Sequence, residues 1–195
     1  MFNIRSKVLR LIARCFYSRE WVNFDYLSPN HLITMGIMQR IVGFNRRVPW
    51  PVHHSSVIQG WNKIKLKTLP PYVGAGTGQY IQCINGIEIG EYVRLGPGVK
   101  LISSDHDLSD FQKHIESPPI IIGDYCWLAA NVVLLPGVQL GSHVVVAAGS
   151  VVTKSFPEDN VILAGIPAKI VKHLPAYEGS IPDSTIYIKE RSEDV

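Results

Sequence analysis

Cysteine is scarce in this chain of 195 residues: Cys15, Cys83 and Cys126 are all there is. Their spacing suits neither a zinc cluster nor a disulfide framework. Cys83 and Cys126 read as small buried hydrophobes, which fits a reducing compartment. Long apolar runs are missing too. None reaches the roughly 18 residues a membrane span needs, and the N-terminus lacks the apolar core and small-residue cleavage site of a secretory leader. The expected location is therefore cytoplasmic. Charge of one sign is also in short supply. The net charge is +3, and Lys and Arg do not gather into one long run, so a nucleic-acid partner has little support. The glycines of GAGTG (residues 74–78) lack the third glycine at the right offset, and the following helix, of a dinucleotide fingerprint. A hydrophobic share of 46% is nonetheless ample for a core, and the length suits one domain with appendages.

What is present is a six-residue beat from Ile122 to Pro157. Ile122, Leu128, Leu134, Leu140, Val146 and Val152 are aliphatic and six apart. The residues after them are Gly123, Ala129, Leu135, Gly141, Ala147 and Thr153, small in five of the six cases. Four residues after each aliphatic come Cys126, Val132, Val138, Val144, Ser150 and Phe156. Neither a helical period nor simple alternation gives this register. A fixed hexad is the signature of a parallel β-helix, in which each hexad supplies one short strand and one turn and three hexads close a triangular coil. An ordinary Val-rich sheet would place its turns less regularly. The expected fold class is mainly β.

Residues 1–50 read as a helical and irregular cap. The first 20 look like a basic amphipathic helix, with Ile4, Val8, Leu11, Ile12 and Cys15 on one side and Arg5, Lys7, Arg10, Arg14 and Arg19 as cations. Two readings compete: peripheral contact with an anionic membrane surface through residues 1–20, or a lid over the open end of the β-helix, with the lid favoured. Ser28-Pro29-Asn30 reads as a turn before a short helix over 31–42. The β-helix is expected over 51–174. Its early coils, around Ile58 and Ile64, are degenerate and broken by Pro70-Pro71 and by Gly74, Gly76 and Gly78. The beat becomes regular at Ile89, Leu95 and Leu101, stops for 21 residues, and resumes at Ile122. An excursion over 103–119 must leave the coil and return to it, and such loops on rigid scaffolds commonly carry function. A charged tail follows over 175–195.

The excursion begins Asp105-His106-Asp107. A histidine flanked by carboxylates can act as a general base near neutral pH, with Asp105 or Asp107 holding its tautomer. The plainer reading is a surface histidine.

Taken together, the hexads, the Asp-His-Asp excursion and the ending AGSVVTK…AGIPAK resemble the hexapeptide-repeat, left-handed β-helix acyltransferases, nearest to the maltose/galactoside O-acetyltransferase-like branch with its polysaccharide-biosynthesis acetyltransferases. The resemblance covers residues 52–174. It implies a left-handed coil and acetyl-CoA as co-substrate, with no metal. It implies that His106 is the base on the acceptor hydroxyl and that Trp127 lines the acceptor or pantetheine groove. Ala129, Ala147 and Ala148 would border the pantetheine arm, and Thr153 and Lys154 would lie near the nucleotide end. Ile166, Pro167 and Lys169 would hold adenine and the 3′-phosphate. Gln82 and Asn85 fall near the position of an acceptor-binding residue. A homotrimer with active sites between subunits is implied as well. The expected activity is O-acetylation of a sugar hydroxyl in cell-surface polysaccharide biosynthesis, by direct transfer. An amino-sugar N-acetyltransferase is the alternative. A serine acetyltransferase would need a larger helical N-terminal domain. A γ-type carbonic anhydrase or a non-catalytic β-helix scaffold is remote.

Overall fold

The computed structural model describes residues 4–22, 27–67 and 73–179. Pro70-Pro71 and the charged end of the tail, residues 180–195, lie outside the described residues. Among the described residues, fourteen short strands follow a helical unit. They are β1 (Val57–Gln59), β2 (Ile64–Leu66), β3 (Tyr80–Gln82), β4 (Ile87–Ile89), β5 (Arg94–Leu95), β6 (Lys100–Ile102), β7 (Ile120–Ile122), β8 (Trp127–Leu128), β9 (Val133–Leu134), β10 (Gln139–Leu140), β11 (Val145–Val146), β12 (Val151–Val152), β13 (Val161–Gly165) and β14 (Ala168–His173).

Every third strand belongs to the same sheet, except where the chain leaves the rhythm. The three faces run β1-β3-β6-β9-β12, β2-β4-β7-β10 and β5-β8-β11-β13-β14, parallel throughout except for the closing β13–β14 hairpin. This is the left-handed parallel β-helix, a triangular prism of stacked coils. The hexad aliphatics stack inside it. Ile58, Ile81, Leu101, Leu134 and Val152 form one column, and Leu95, Leu128, Val146 and Leu163 another. Ile89, Ile122 and Leu140 form the third. The second inward position of each hexad, from Cys126 through Val132, Val138 and Val144 to Ser150 and Phe156, is buried as well. Two inward residues per hexad, repeated on three faces, fill the bore.

The three corners differ. At the corner between the second and third faces, a Cβ on Gly123 would lie 2.4 Å from the Gly141 carbonyl oxygen, and one on Gly141 would lie 2.6 Å from that of Pro157. The coils touch there, so only glycine fits. The corner between the third and first faces accepts alanine, at Ala129 and Ala147. The corner between the first and second faces accepts Leu135 and Thr153, and there the excursion leaves the prism. The six-residue beat thus conceals an eighteen-residue one.

The helical unit comprises α1 (Ile4–Ala13), α2 (Arg19–Val22) and α3 (Pro29–Gly36), which runs on into a π-turn over Ile37–Val42. Ser28 is the N-cap of α3: its hydroxyl accepts from the His31 amide, and Pro29 takes the first helical position. The expected Ser-Pro-Asn turn is therefore the start of the helix. Buried Gln39 ties the unit to the prism. Its amide donates to the Asn45, Val48 and Trp50 carbonyls, and its oxygen accepts from the Tyr17 hydroxyl and the Val52 amide. Trp50 packs between Trp21 and Trp61, with ring centroids 6.4 Å away on each side, and its indole donates to Val73. These tryptophans, Val22 and Val52 join the core above the first coil. The apolar stripe of α1 does not: Ile4, Val8, Leu11, Ile12 and Cys15 are all exposed. The lid is made by residues 21–22 and 48–52 instead. Among the described residues no helix is long and apolar enough to cross a membrane.

Candidate active site

β6 ends at Ile102 and β7 begins at Ile120. The chain between them is a hairpin anchored at the prism edge. The Ser104 amide donates to Gln82 Oε1 (3.0 Å), and the Asn85 amide donates to Ser103 Oγ (3.0 Å). Asn85 Nδ2 then donates to the Ile115 carbonyl and to Ser117 Oγ, each at 2.9 Å. Ser117 Oγ donates back to Ser103. Gln82 and Asn85, expected to meet an acceptor, therefore spend these polar atoms holding the hairpin's two roots together.

Above the roots the two arms pair. The Ile115 amide donates to Asp105 (2.9 Å) and the Asp107 amide to Lys113 (3.0 Å). His106 and His114 face each other as the non-hydrogen-bonded pair between those bonds, where cross-strand side chains approach most closely. Their rings lie 4.4 Å apart between centroids, tilted by 33°, and both are exposed. The Asp107 carboxylate accepts from the Ser109 amide (2.7 Å) and hydroxyl (2.5 Å), forming the turn at the hairpin's end. The Ser109 hydroxyl and amide hold the Asp107 carboxyl below the ordinary carboxylate range. Among the described residues no carboxylate is hydrogen-bonded to the His106 ring. Leu108 and Phe111 stand at the tip, 86% and 70% exposed.

The remaining candidates lie elsewhere on the prism. Trp127 points outward from β8, 52% exposed. Ala129, Ala147 and Ala148 line the corner between the third and first faces, after β8 and β11. Thr153 and Lys154 follow β12 on the hairpin's own edge, with Lys154 Nζ 5.6 Å from the centre of the Phe156 ring. Ile166, Pro167 and Lys169 are exposed at the β13–β14 turn. Within the chain, then, His106 and the alanine column occupy opposite edges of the first face.

His114 was not singled out from the sequence. The signal for it was the turn Asp107-Leu108-Ser109-Asp110. With a second turn over Asp110–Lys113 the loop is centred on position 110, and that register pairs 106 with 114.

Comparison with known proteins decides what the repeat is. The family profile "Bacterial transferase hexapeptide (six repeats)" matches residues 119–154. Over those residues the repeat array is similar to that of the bacterial hexapeptide transferases. Over 91 residues, 45% of the chain, the sequence is 37% identical to a galactoside O-acetyltransferase of Escherichia coli K12, covering 44% of that protein. It is 35% identical over 105 residues, 54% of the chain, to the putative colanic acid biosynthesis acetyltransferase WcaF of the same organism, covering 57% of it. The chain thus spans about half the length of the curated relatives it matches. The solved galactoside acetyltransferase in complex with coenzyme A shares the fold: the TM-score is 0.51 at 21% identity, over 91% of this chain and 84% of that one.

Within this prism, the thiols sit in the wrong place for chemistry. Cys83 and Cys126 face the bore, and burial pushes each thiol up to about 12. A thiol so held stays protonated at neutral pH and is a poor nucleophile. Among the described residues no three His, Cys, Asp or Glu side chains gather as a metal site.

Proposed function

We propose that the protein transfers the acetyl group of acetyl-CoA to a saccharide hydroxyl, in cell-surface polysaccharide biosynthesis, with His106 as the base. The observation that carries this reading is the presentation of an exposed His106, clasped by its hairpin, at the edge of a hexapeptide-transferase prism. The names of the relatives above, a galactoside O-acetyltransferase and a putative colanic acid biosynthesis acetyltransferase, support this reading of the reaction and the acceptor class.

In this mechanism the imidazole takes the proton of the acceptor hydroxyl as its oxygen attacks the thioester carbon. A new C–O bond forms through a tetrahedral oxyanion, which polar hydrogens of the site stabilise. The C–S bond then breaks, and the imidazolium returns its proton to the leaving thiolate. No acyl-cysteine is required, in keeping with the buried thiols. The residues fit the donor. The alanine column leaves an unobstructed edge where an extended pantetheine can lie, and exposed Lys154 and Lys169 can meet phosphates as point charges. Trp127 stands outward as an apolar wall of that groove. Asp105 is the carboxylate free to orient the imidazole, since Asp107 is committed to Ser109.

His106 and the alanine column lie on opposite edges of one face, so a complete site takes His106 from one subunit and the groove from its neighbour. This supports a homotrimer, in which cyclic symmetry makes three such clefts. The exposed Leu108 and Phe111 at the hairpin tip would rest on that neighbour. The test is thiol release from acetyl-CoA across a panel of sugars and nucleotide sugars, alongside the mass in solution by light scattering. Saccharide-dependent release from a trimer is expected. A monomer with full activity would remove the shared site, and no release with any saccharide would remove the function.

A further inference from the structure

The cap exposes what an amphipathic helix ordinarily hides. On α1, residues 4, 8, 11 and 12 fall within about 100° of one another around the helix axis. Their side chains Ile4, Val8, Leu11 and Ile12 face solvent, with Val8 52% and Leu11 62% exposed. The opposite side of the segment is the one that packs. Ala13 and Tyr17 are buried there, and the Arg10 guanidinium donates to the Val22 carbonyl. Phe16 lies so close to Gly36 that a Cβ on Gly36 would come within 2.4 Å of the Phe16 ring. These contacts fix the roll of the helix, so the apolar stripe cannot turn inward.

The charges beside the stripe are of one sign. Residues 1–19 hold five cations, Arg5, Lys7, Arg10, Arg14 and Arg19, and no Asp or Glu. By helical position Lys7 and Arg14 flank the stripe on one side and Arg5 on the other. An apolar strip edged by long cationic side chains fits the boundary between lipid headgroups and acyl chains. The aliphatics enter the acyl layer while Lys and Arg reach back to lipid phosphates. A second copy fits poorly, because a two-fold contact through this stripe would set these cations against their own equivalents.

We propose that α1 lies in the plane of an anionic membrane surface, its Ile4-Val8-Leu11-Ile12 stripe buried and its flanking cations on lipid phosphates. The inference is independent of the proposed acetyl transfer. Such a helix would hold the enzyme where membrane-borne acceptors are concentrated.

Flotation of the full chain with vesicles of phosphatidylethanolamine and phosphatidylglycerol, against pure phosphatidylcholine, tests it. The wild type is expected to float with the anionic vesicles, with partitioning at least about tenfold weaker on the neutral ones. Val8→Asp/Leu11→Asp should abolish flotation. Lys7→Glu/Arg14→Glu should weaken it by more than about tenfold, since each cation near an anionic surface contributes roughly a factor of five. All four side chains are exposed, so the melting temperature serves as the folding control. Equal partitioning of the wild type and Val8→Asp/Leu11→Asp would overturn the proposal. So would equal partitioning on anionic and neutral vesicles. A loss of solution mass in the Asp variant, with no flotation of the wild type, would overturn it in favour of self-association.

Discussion

The coils over 122–157 and the hairpin over 103–119 are neighbours on one prism and opposites in construction. In the coils each hexad sends two side chains into the bore, and the strands lend their backbone bonds to those of neighbouring coils. In the hairpin Leu108, Phe111 and Ile115 face solvent, and shape comes from a few polar clasps at Asn85, Gln82, Ser117 and Asp107. The comparison separates two tasks. Stability rests on residues that touch no substrate, and the proposed chemistry rests on residues that bury almost nothing. Substitutions at the coils' inward positions and in the hairpin should therefore change different observables.

The largest effect belongs to the hairpin. His106→Ala should lower kcat by about 10² to 10⁴, with the melting temperature unchanged because the ring is exposed. Thiol release in steady state, beside a thermal melt, checks both halves. Near-wild-type turnover would refute the base assignment. In the coils the opposite is expected of Leu134→Ala. Leu134 is fully buried between Leu101 and Val152, so its truncation should cost about 2–5 kcal/mol in denaturant unfolding. Turnover per folded molecule should hold. If Leu134→Ala lowered turnover as much as stability, the separation of tasks would fail.

The same contrast explains what the sequence disclosed. The coils were legible because a one-dimensional stack makes every coil solve the same packing problem, so Leu128, Leu134 and Leu140 repeat the same answer. The division of corners into glycine, alanine and unrestricted columns was hidden. It depends on which face follows which, and a six-residue reading averages over that. The direction of α1 was legible as a pattern and misjudged as a place. The pattern identifies an apolar stripe but not its side, and in this chain Ala13, Phe16 and Tyr17 outcompeted Ile4, Val8 and Leu11 for the core. At the candidate site, His106 stood out by its Asp neighbours, whereas His114 depended on a hairpin register set by the Asp107–Ser109 turn. Gln82 and Asn85 were noticed for polarity. Their use as clasps could come only from three-dimensional contacts between the ends of β3 and β6.

A smaller effect should sharpen the boundary between the two regions. Asn85→Ala removes both donors that join Ile115 to Ser117 and loosens the hairpin roots without entering the bore. Turnover should fall by about tenfold to a hundredfold through misplacement of His106, with coenzyme A affinity by calorimetry preserved. An unchanged kcat would mean that the arms of the hairpin hold their geometry without the clasp.

The smallest effect is a local one with pH. The Asp107 carboxyl lies below the ordinary carboxylate value because its ionised form accepts from the Ser109 hydroxyl and amide. A group depressed in the folded state stabilises the structure above its unfolded value, about 3.9, and that support fades as pH falls through the lower, folded value. The turn should thus stay closed across the neutral and mildly acidic range and open only in stronger acid. The coils' inward aliphatics do not titrate. The Ser109 amide proton resonance should accordingly shift with a midpoint below about 3.9, and Asp107→Asn should remove the transition while leaving the coil resonances in place. A midpoint at or above the ordinary value would show that the Ser109 contacts do not favour the ionised carboxylate, and the hairpin would then owe its turn to the Asp105–Ile115 and Asp107–Lys113 backbone bonds alone.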